Sequence, residues 1–137
     1  MPLHALSVRV RSYELDLFGH VNSAVYMNYL EAARIEALAS AGLTVDRLRK
    51  EGMHVVVAAA AIRHLAPAHL HDQLDVTVDI KRIGTTSVTF HQTILNKTTS
   101  KMVAEAEIVG VFLGPDGRPR HIPEEVARAF SPPPEAA

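Results

Sequence analysis

The residues whose types and spacing could do chemistry lie between Tyr13 and Glu31, in the segment YELDLFGHVNSAVYMNYLE. An acidic residue, Asp16, and a glycine, Gly19, precede a run of polar side chains and then a periodic apolar stretch. A carboxylate so placed could attack an electrophilic carbonyl carbon as a nucleophile, or could activate a water molecule as a general base. Neither role needs a metal ion.

The stretch after Asp16 predicts the element that would position it. Apolar residues recur at three- and four-residue intervals from Ala24 to Ala41, and Gly42 follows as a stop signal, which predicts a helix of about five turns. The first helical turn leaves backbone N–H groups without partners, and the helix dipole favours negative charge there. A thioester carbonyl at this end would be polarised, and its tetrahedral oxyanion would be stabilised.

The remaining segments are predicted to form mostly strands. Residues 7–13 alternate as a first strand, with Glu14 exposed beside it. The apolar run 54–63 is predicted to be a central strand covered on both faces. Later segments, separated by turn signals, are predicted to be strands at 74–81, 88–94 and 102–113 and a short helix at 123–130.

This order of elements predicts an α+β fold, with a single domain over residues 1–130 and a disordered Pro-rich tail over 131–137. One helix cannot cover both faces of such a sheet. The uncovered face, or an edge strand, therefore needs a partner, and a second copy of the chain is the economical choice.

Composition narrows the functional classes. A net charge of −1 over 137 residues argues against a protein that binds nucleic acid or anionic lipid. The absence of cysteine excludes disulfides, thiol nucleophiles and thiolate zinc sites. No signal-peptide pattern opens the sequence, and its longest apolar stretch is far below the roughly 20 residues that span a bilayer. A cytoplasmic protein is expected.

Four motifs share their order and spacing with a known family. The most specific is D-x-x-G-H-V-N-x-x-x-Y-x-x-Y-x-E, from Asp16 to Glu31. The others, weak alone, are P-x-x-x-x-D-x-L from Pro67 to Leu74, R-I-G-x-x-S from Arg82 to Ser87, and I-P-E from Ile122 to Glu124. Together they cover nearly the whole chain, which resembles the hotdog-fold thioesterases and in particular the 4-hydroxybenzoyl-CoA thioesterase branch.

The resemblance implies a fold, an activity and a mode of assembly. The fold would be a long central helix wrapped by an antiparallel sheet of five to six strands. The activity would be hydrolysis of an acyl-CoA thioester to free acid and CoA, without a cofactor. The chain would associate as a homodimer or homotetramer, with active sites at the subunit interface.

The resemblance also implies roles for individual residues. Asp16 would be catalytic, the backbone N–H of Ser23 would polarise the acyl carbonyl, and His20 would orient substrate or Asp16, unless it is a structural imidazole. Pantetheine would run between subunits, and Lys81 and Arg82 would hold nucleotide phosphates. Further substrate contacts are expected from Gly19, Val21, Asn22, Tyr26 and Ser87, and further phosphate contacts from Lys97, Lys101 and Arg118.

Several of these residues also fit structural roles. Asn22 suits the N-cap of the predicted helix. Tyr26 and Tyr29, three residues apart on one helical face, suit the core. Glu31 is a rival catalytic carboxylate, because some hotdog thioesterases carry theirs on the central helix. The H-G-G pattern of those relatives is absent, so a buried or interfacial ion pair, with Arg34 or with a partner subunit, is preferred.

The segment from His64 to Asp72 departs from the family pattern. His64 or Leu65 replaces an aromatic residue, and His71 replaces a glycine, which leaves acyl preference open. His64, His69, His71 and Asp72 resemble a metal cluster, but their spacing suits no single helix face, so no metal is predicted.

Three other functions remain open. An enoyl-thioester hydratase would share the fold, but the D-x-N-P-x-H and H-F-P segments of those enzymes are absent. The donor could be an acyl carrier protein instead of CoA, because plant acyl-carrier thioesterases have a similar H-V-N segment. A non-catalytic hotdog protein that binds acyl-CoA is the third possibility.

Overall fold

The computed structural model describes residues 3–131, so the predicted tail lies outside the described residues except for Ser131. Within 3–131, no helix is long and apolar enough to cross a membrane. A 3₁₀ helix at Ser12–Glu14 lies between the first strand and the first α-helix. The elements are β1 (His4–Arg9), α1 (Ser23–Ser40), α2 (Val45–Lys50), β2 (His54–His64), β3 (Gln73–Ile83), β4 (Ser87–Asn96), β5 (Lys101–Leu113) and α3 (Glu124–Phe130).

The long helix α1 has local signals at both ends. At its start, the Asn22 side chain accepts a hydrogen bond of 2.9 Å from the N–H of the second helical residue, which is an N-cap. At its end, Gly42 takes φ +96°, a conformation that favours glycine, and Leu43 N–H donates to Leu38 O at 2.9 Å. The prediction of a helix over 24–41 is confirmed to within one residue at each end.

The five strands form one antiparallel sheet in the order β1-β3-β4-β5-β2. Alternate residues of β3, β4 and β5 point to the face that α1 covers, because successive side chains of a strand point to opposite faces. Val76, Phe90 and Ile108 on this face, and Leu30 of α1, are at most 1% exposed. Each such side chain stabilises the fold by about 1.5–3 kcal/mol. The predicted α+β hotdog fold is confirmed, with five strands.

Strand β2 is where the prediction was wrong. It was expected in the centre of the sheet, but it pairs only with β5 and lies at an edge. Its residues are mostly exposed, and Val57 is 50% exposed. Its apolar composition therefore does not report burial within one chain. Among residues 3–131, no strand pairs with the free edge of β2.

Two smaller differences between prediction and structure follow from local interactions. The first strand covers His4–Arg9 instead of 7–13, because the chain turns into the 3₁₀ helix at Ser12. Helix α2 was not predicted, because only Val45 and Leu48 give it apolar positions; Thr44 caps it by accepting a hydrogen bond from the backbone three residues on.

Glu14 was expected to be exposed and is instead buried, at 5% exposure. Its carboxylate accepts hydrogen bonds from Arg11, at 2.8 Å from the backbone N–H and at 2.9 Å from Nη2. Burial alone would raise the pKa of the Glu14 carboxyl, but the hydrogen bonds from Arg11 outweigh burial and hold the pKa below its ordinary value. The pair fixes the 3₁₀ helix that leads into the segment around Asp16.

The lowered pKa of Glu14 predicts acid sensitivity. A carboxyl group with a depressed folded-state pKa stabilises the protein above its unfolded-state pKa, and this stability is lost as pH falls through the folded-state value. We therefore expect Glu14→Gln to lower the free energy of unfolding by about 1–3 kcal/mol at pH 7. Below pH 4.5, the ordinary pKa of the group, the difference should shrink. Urea unfolding at pH 7 and at pH 3.5 measures it, and a constant difference would contradict the role assigned to the ionised carboxylate.

Candidate active site

Asp16 lies in a tight turn whose shape its own side chain maintains. Its Oδ1 atom accepts hydrogen bonds from the backbone N–H groups of Phe18, at 2.8 Å, and His20, at 3.1 Å. Gly19 takes φ +79° at the corner, a conformation with little cost only for glycine. Within residues 3–131, Oδ2 of Asp16 makes no hydrogen bond. One carboxylate oxygen holds the turn, and the other is free to react.

The start of α1 lies directly after this turn. Leu15 and Val21 form an isolated antiparallel β-bridge that closes the turn. The Asn22 side chain then accepts a hydrogen bond from the N–H of Ala24. The backbone N–H of Ser23, also in the first turn, has no hydrogen-bond partner among the described residues. An unpaired N–H at a helix N-terminus is a donor for a negatively charged oxygen.

Asp16 and Ser23 line the same open cleft, with a volume of about 390 Å³. This volume falls in the range of small-molecule sites. Its walls come from two parts of the chain, the helix entry and the end of β2 with the loop after it. The other lining residues are His20, Val21, Tyr26, His64, Leu65, Ala66 and Pro67.

The loop between β2 and β3 is fastened to the helix entry and to β4. Val21 N–H donates to Ala68 O at 2.9 Å. The Asp72 carboxylate is buried, and its Oδ2 accepts hydrogen bonds from His69 N–H at 2.9 Å and from Asn96 Nδ2 at 2.8 Å. Since a buried carboxylate is tolerated when it is hydrogen-bonded, Asp72 of the P-x-x-x-x-D-x-L motif supports the wall of the cleft.

Two aromatic contacts join the same two parts of the chain. The rings of His20 and His69 meet edge to face, with centroids 5.0 Å apart, and those of Tyr26 and His64 lie 5.5 Å apart. His64 thus packs on a tyrosine of α1. Across residues 3–131, no group of three or more histidine, aspartate or glutamate side chains is arranged to hold a metal ion.

The two tyrosines lie in the core, as predicted, each at 4% exposure. Tyr26 also reaches the cleft, where burial raises the pKa of its hydroxyl group. Glu31 is exposed, and within the described residues it forms no ion pair with Arg34. The predicted pairing of these two side chains inside one chain is therefore wrong. A contact between Glu31 and a partner subunit stays a prediction.

The expected phosphate-binding residues are not gathered around Asp16. Lys81 lies eight residues along β3 from Gln73, about 25 Å at the rise of a strand. Its Nζ atom is 3.2 Å from Glu107 Oε1, on the face of the sheet opposite α1. Arg82 and Ser87, near the β3–β4 turn, are also remote from the cleft. Phosphate binding by Lys81 and Arg82 stays a prediction.

The other basic residues expected to contact phosphate lie at the two opposite ends of the sheet. Lys97 and Lys101 lie at the β4–β5 turn, at the same end as Asp72, and Lys97 N–H donates to Gln73 O at 2.8 Å. Arg118 lies in the turn after β5, at the opposite end. Proximity to the cleft therefore favours the first two over the third.

The part of the cleft that sequence reasoning missed is the wall from His64 to Pro67. Nothing in this segment is chemically distinctive, and it reaches Asp16 only because β2 ends beside the start of α1. The one available signal was the departure from the family pattern at His64 or Leu65, and the structure shows that the His64 ring packs against Tyr26.

Comparison with known proteins decides the family. A family model for the thioesterase-like superfamily matches residues 10–130, and this range contains the turn at Asp16, α1 and all the strands after it. The chain belongs to the thioesterase-like superfamily. It is a thioesterase with the hotdog fold.

Individual relatives of this thioesterase agree with that family. The acyl-CoA thioester hydrolase YbgC of Escherichia coli O6:H1 is 32% identical, over 90% of this chain and 92% of the relative. The chloroplastic acyl-acyl carrier protein thioesterase ATL3 of Arabidopsis thaliana is 31% identical, over 93% and 67%. A thioesterase from Thermus thermophilus, solved in complex with coenzyme A and Zn, is 30% identical with a TM-score of 0.82, over 94% of this chain and 92% of that one.

Proposed function

We propose that this thioesterase hydrolyses acyl-CoA to free acid and CoA, with Asp16 as nucleophile or general base. The observation that carries the proposal is that Oδ2 of Asp16 and the helix N-terminal N–H of Ser23 line one cleft and have no hydrogen-bond partner among residues 3–131. The first can deliver or activate a nucleophile, and the second can stabilise the oxyanion. The relatives that act on acyl-CoA support the choice of substrate.

The reaction can proceed by either role of Asp16. As a general base, the carboxylate takes a proton from water while the water oxygen attacks the thioester carbon. As a nucleophile, the carboxylate attacks the thioester carbon, the C–S bond breaks as the CoA thiolate leaves, and water hydrolyses the resulting mixed anhydride. In the general-base route, the C–S bond breaks when the tetrahedral intermediate formed with water collapses. In both routes the N–H of Ser23 donates to the carbonyl oxygen as it becomes negative, and the CoA thiolate takes up a proton.

We propose further that the enzyme works as a dimer paired along β2. This strand is an exposed edge of eleven residues, and its run from Val55 to Ile62 has no charge and no proline. Such an edge is prone to pairing, which proteins otherwise prevent with charges or prolines. An antiparallel pair centred near Ala59 is self-complementary, because the same segment of each chain then forms the interface. We favour a dimer over a tetramer because pairing along β2 gives one interface, which joins two chains, and a tetramer would need a second interface.

The function is tested by thiol release from a panel of short-, long- and aromatic-chain acyl-CoAs at fixed enzyme concentration. We expect turnover of at least one class, with one free acid formed for each CoA thiol. The panel includes an enoyl-CoA, because addition of water without release of CoA would identify a hydratase. Binding without thiol release across the whole panel would rule out catalysis and favour the non-catalytic alternative.

The second candidate is hydrolysis of acyl groups attached to an acyl carrier protein, which the similarity to the Arabidopsis thaliana enzyme favours. Both donors present the acyl group on a pantetheine arm, so the cleft alone does not separate them. Comparison of kcat/KM for one acyl group on CoA and on an acyl carrier protein decides between the two. A kcat/KM more than about tenfold higher with the acyl carrier protein than with CoA would show that the carrier protein, and not CoA, is the donor.

A further inference from the structure

A second cavity lies between α1 and β2, about two helical turns from the cleft at Asp16. It holds about 80 Å³ and is lined mainly by apolar side chains. It opens beside the exposed edge of β2. Its lining includes Arg34, Leu38, Val55, Phe90, Ile108 and Gly110.

Arg34 makes this cavity chemically unusual. It is 7% exposed, and its Nη1 atom donates to Gln92 Oε1 at 2.9 Å. Gln92 is itself held by the backbone oxygens of Leu30, at 3.1 Å, and Thr77, at 3.3 Å. Within residues 3–131 the guanidinium makes no other side-chain hydrogen bond and no ion pair. The remaining N–H groups of Arg34 are not fully shielded from solvent, so they are available as donors to an acceptor that enters the cavity.

The electrostatic setting of Arg34 favours a neutral acceptor. Burial lowers the pKa of Arg34, and the charge of Glu31, which lines the same cavity, partly offsets this effect. An anionic ligand would meet the Glu31 carboxylate. A hydroxyl group could accept from Arg34 and donate to Glu31, and a keto oxygen could accept from Arg34.

The opposite wall of the cavity is a glycine, Gly110 on β5. A Cβ atom there would stand 3.3 Å from Phe90 Cε2 and 3.4 Å from Val55 Cγ1. A side chain at position 110 would therefore press on Phe90 and Val55, which line the same cavity as Arg34. Glycine at this position avoids that contact.

The proposed dimer would bring this cavity next to the catalytic cleft of the other subunit. His64, at the end of β2, contacts Tyr26, whereas Val55, at the start of β2, lies near Arg34. Antiparallel pairing places the end of one β2 beside the start of its partner. In the proposed dimer, the Tyr26 end of one α1 therefore lies at the same end of the joined sheet as the Arg34 region of the other subunit.

We infer that Arg34 binds a hydroxyl or keto oxygen at the far end of an acyl group whose thioester lies at Asp16 of the other subunit. The acyl chain crosses the subunit boundary, its apolar part lies against the cavity wall, and its oxygen accepts from the guanidinium. This rests on the proposed thioesterase function and on the proposed dimer. It adds a substrate class, acyl groups that carry a hydroxyl or keto oxygen at the end distant from the thioester.

The preference is tested with pairs of acyl-CoAs that differ by one oxygen, hexanoyl with 6-hydroxyhexanoyl and octanoyl with 8-hydroxyoctanoyl. We expect the natural enzyme to favour the hydroxylated member of at least one pair in kcat/KM by about 10- to 100-fold, the range for a hydrogen bond to a charged group. In Arg34→Met this ratio should fall to about 1. Arg128→Met, an exposed arginine on α3, is the matched control and should keep the ratio.

The ratio is an internal control, because partial loss of folded enzyme lowers both rates equally. Should Arg34→Met not fold, Gly110→Ala tests the same cavity from its opposite wall. It should reduce kcat/KM for 6-hydroxyhexanoyl-CoA by about tenfold or more relative to acetyl-CoA, whose acyl group is too short to reach the cavity. Equal effects of Gly110→Ala on the two substrates would overturn the assignment.

The crossing between subunits is tested with mixed dimers of Asp16→Asn and Arg34→Met chains, purified with two different tags. If the site is shared, one of its two copies combines a natural Asp16 with a natural Arg34, and the preference for the hydroxylated substrate returns. If each subunit supplies both residues, the active copy lacks Arg34, and thiol release occurs without preference, which overturns the shared site.

These outcomes are separate from failure of the proposed function. An enzyme that releases no thiol from any acyl-CoA fails as an acyl-CoA thioesterase. An enzyme that hydrolyses acyl-CoAs but does not distinguish the paired substrates, or keeps its preference in Arg34→Met, is a thioesterase in which Arg34 has no role in substrate selection.

Discussion

Asp16→Asn is expected to reduce kcat by about 10³-fold or more while the fold and the assembly persist, since general-base catalysis alone contributes about 10²–10⁴-fold. The structure explains why asparagine is the informative replacement. Its side-chain oxygen can still accept from the N–H groups of Phe18 and His20, so the turn is retained. What is lost is the second carboxylate oxygen, which is free in the cleft. Single-turnover and steady-state thiol release measure the effect on kcat.

Asp79→Asn serves as the matched control, because Asp79 is exposed on β3 and does not line the cleft. This variant should have normal kcat and KM. Circular dichroism and size-exclusion chromatography should be the same for both variants and the natural protein. Turnover of Asp16→Asn within about tenfold of the natural enzyme would show that the carboxylate is not the reacting group, and Glu31 would become the next candidate.

Ala59→Lys is expected to abolish dimer formation and to lower kcat/KM for the preferred substrate by at least about tenfold. Ala59 is the centre of β2 and lies opposite Val109, whose side chain points away from α1. In the proposed dimer two lysines would face each other at the symmetry axis. Like charges so placed cost several kcal/mol, which raises the dissociation constant by about 10³-fold. Analytical ultracentrifugation over a concentration series measures it.

Because Ala59 faces away from α1, its lysine does not enter the acyl-binding cavity, and loss of activity would report loss of assembly. Ala32→Lys is the control: Ala32 is exposed on the side of α1 that faces β1. It should leave both the association constant and kcat/KM unchanged. A monomeric Ala59→Lys variant with full activity would show that each chain contains a complete site.

Local features were predictable from sequence. The ends of α1 followed from Asn22 and Gly42, two residues whose backbone preferences act within a few positions. Asp16 was expected near the start of this helix because the two are close in the sequence. The motif resemblance identified the hotdog fold and the thioesterase class, and both are confirmed.

What could not be predicted depends on pairing across the sheet. The apolar run of β2 predicts a strand covered on both faces, and only the strand order shows that residues 3–131 leave it at an edge of the sheet. Lys81 looked suitable for phosphate by charge, yet strand direction and the alternation of side chains place it on the opposite face, beside Glu107. The burial of Glu14 was missed because the Arg11 pair three residues away was not recognised as a reason to bury a carboxylate.

The two edges of the sheet differ in a way that would set the size of the proposed dimer. β2 has eleven residues and an uncharged centre, whereas β1 has six residues and ends at Arg9. Short and charged edges resist further pairing. In the proposed dimer the joined sheet would end in β1 on both sides, and neither end would offer a long uncharged strand. We therefore expect association through β2 to stop at two chains and to give a particle of fixed size instead of a fibre.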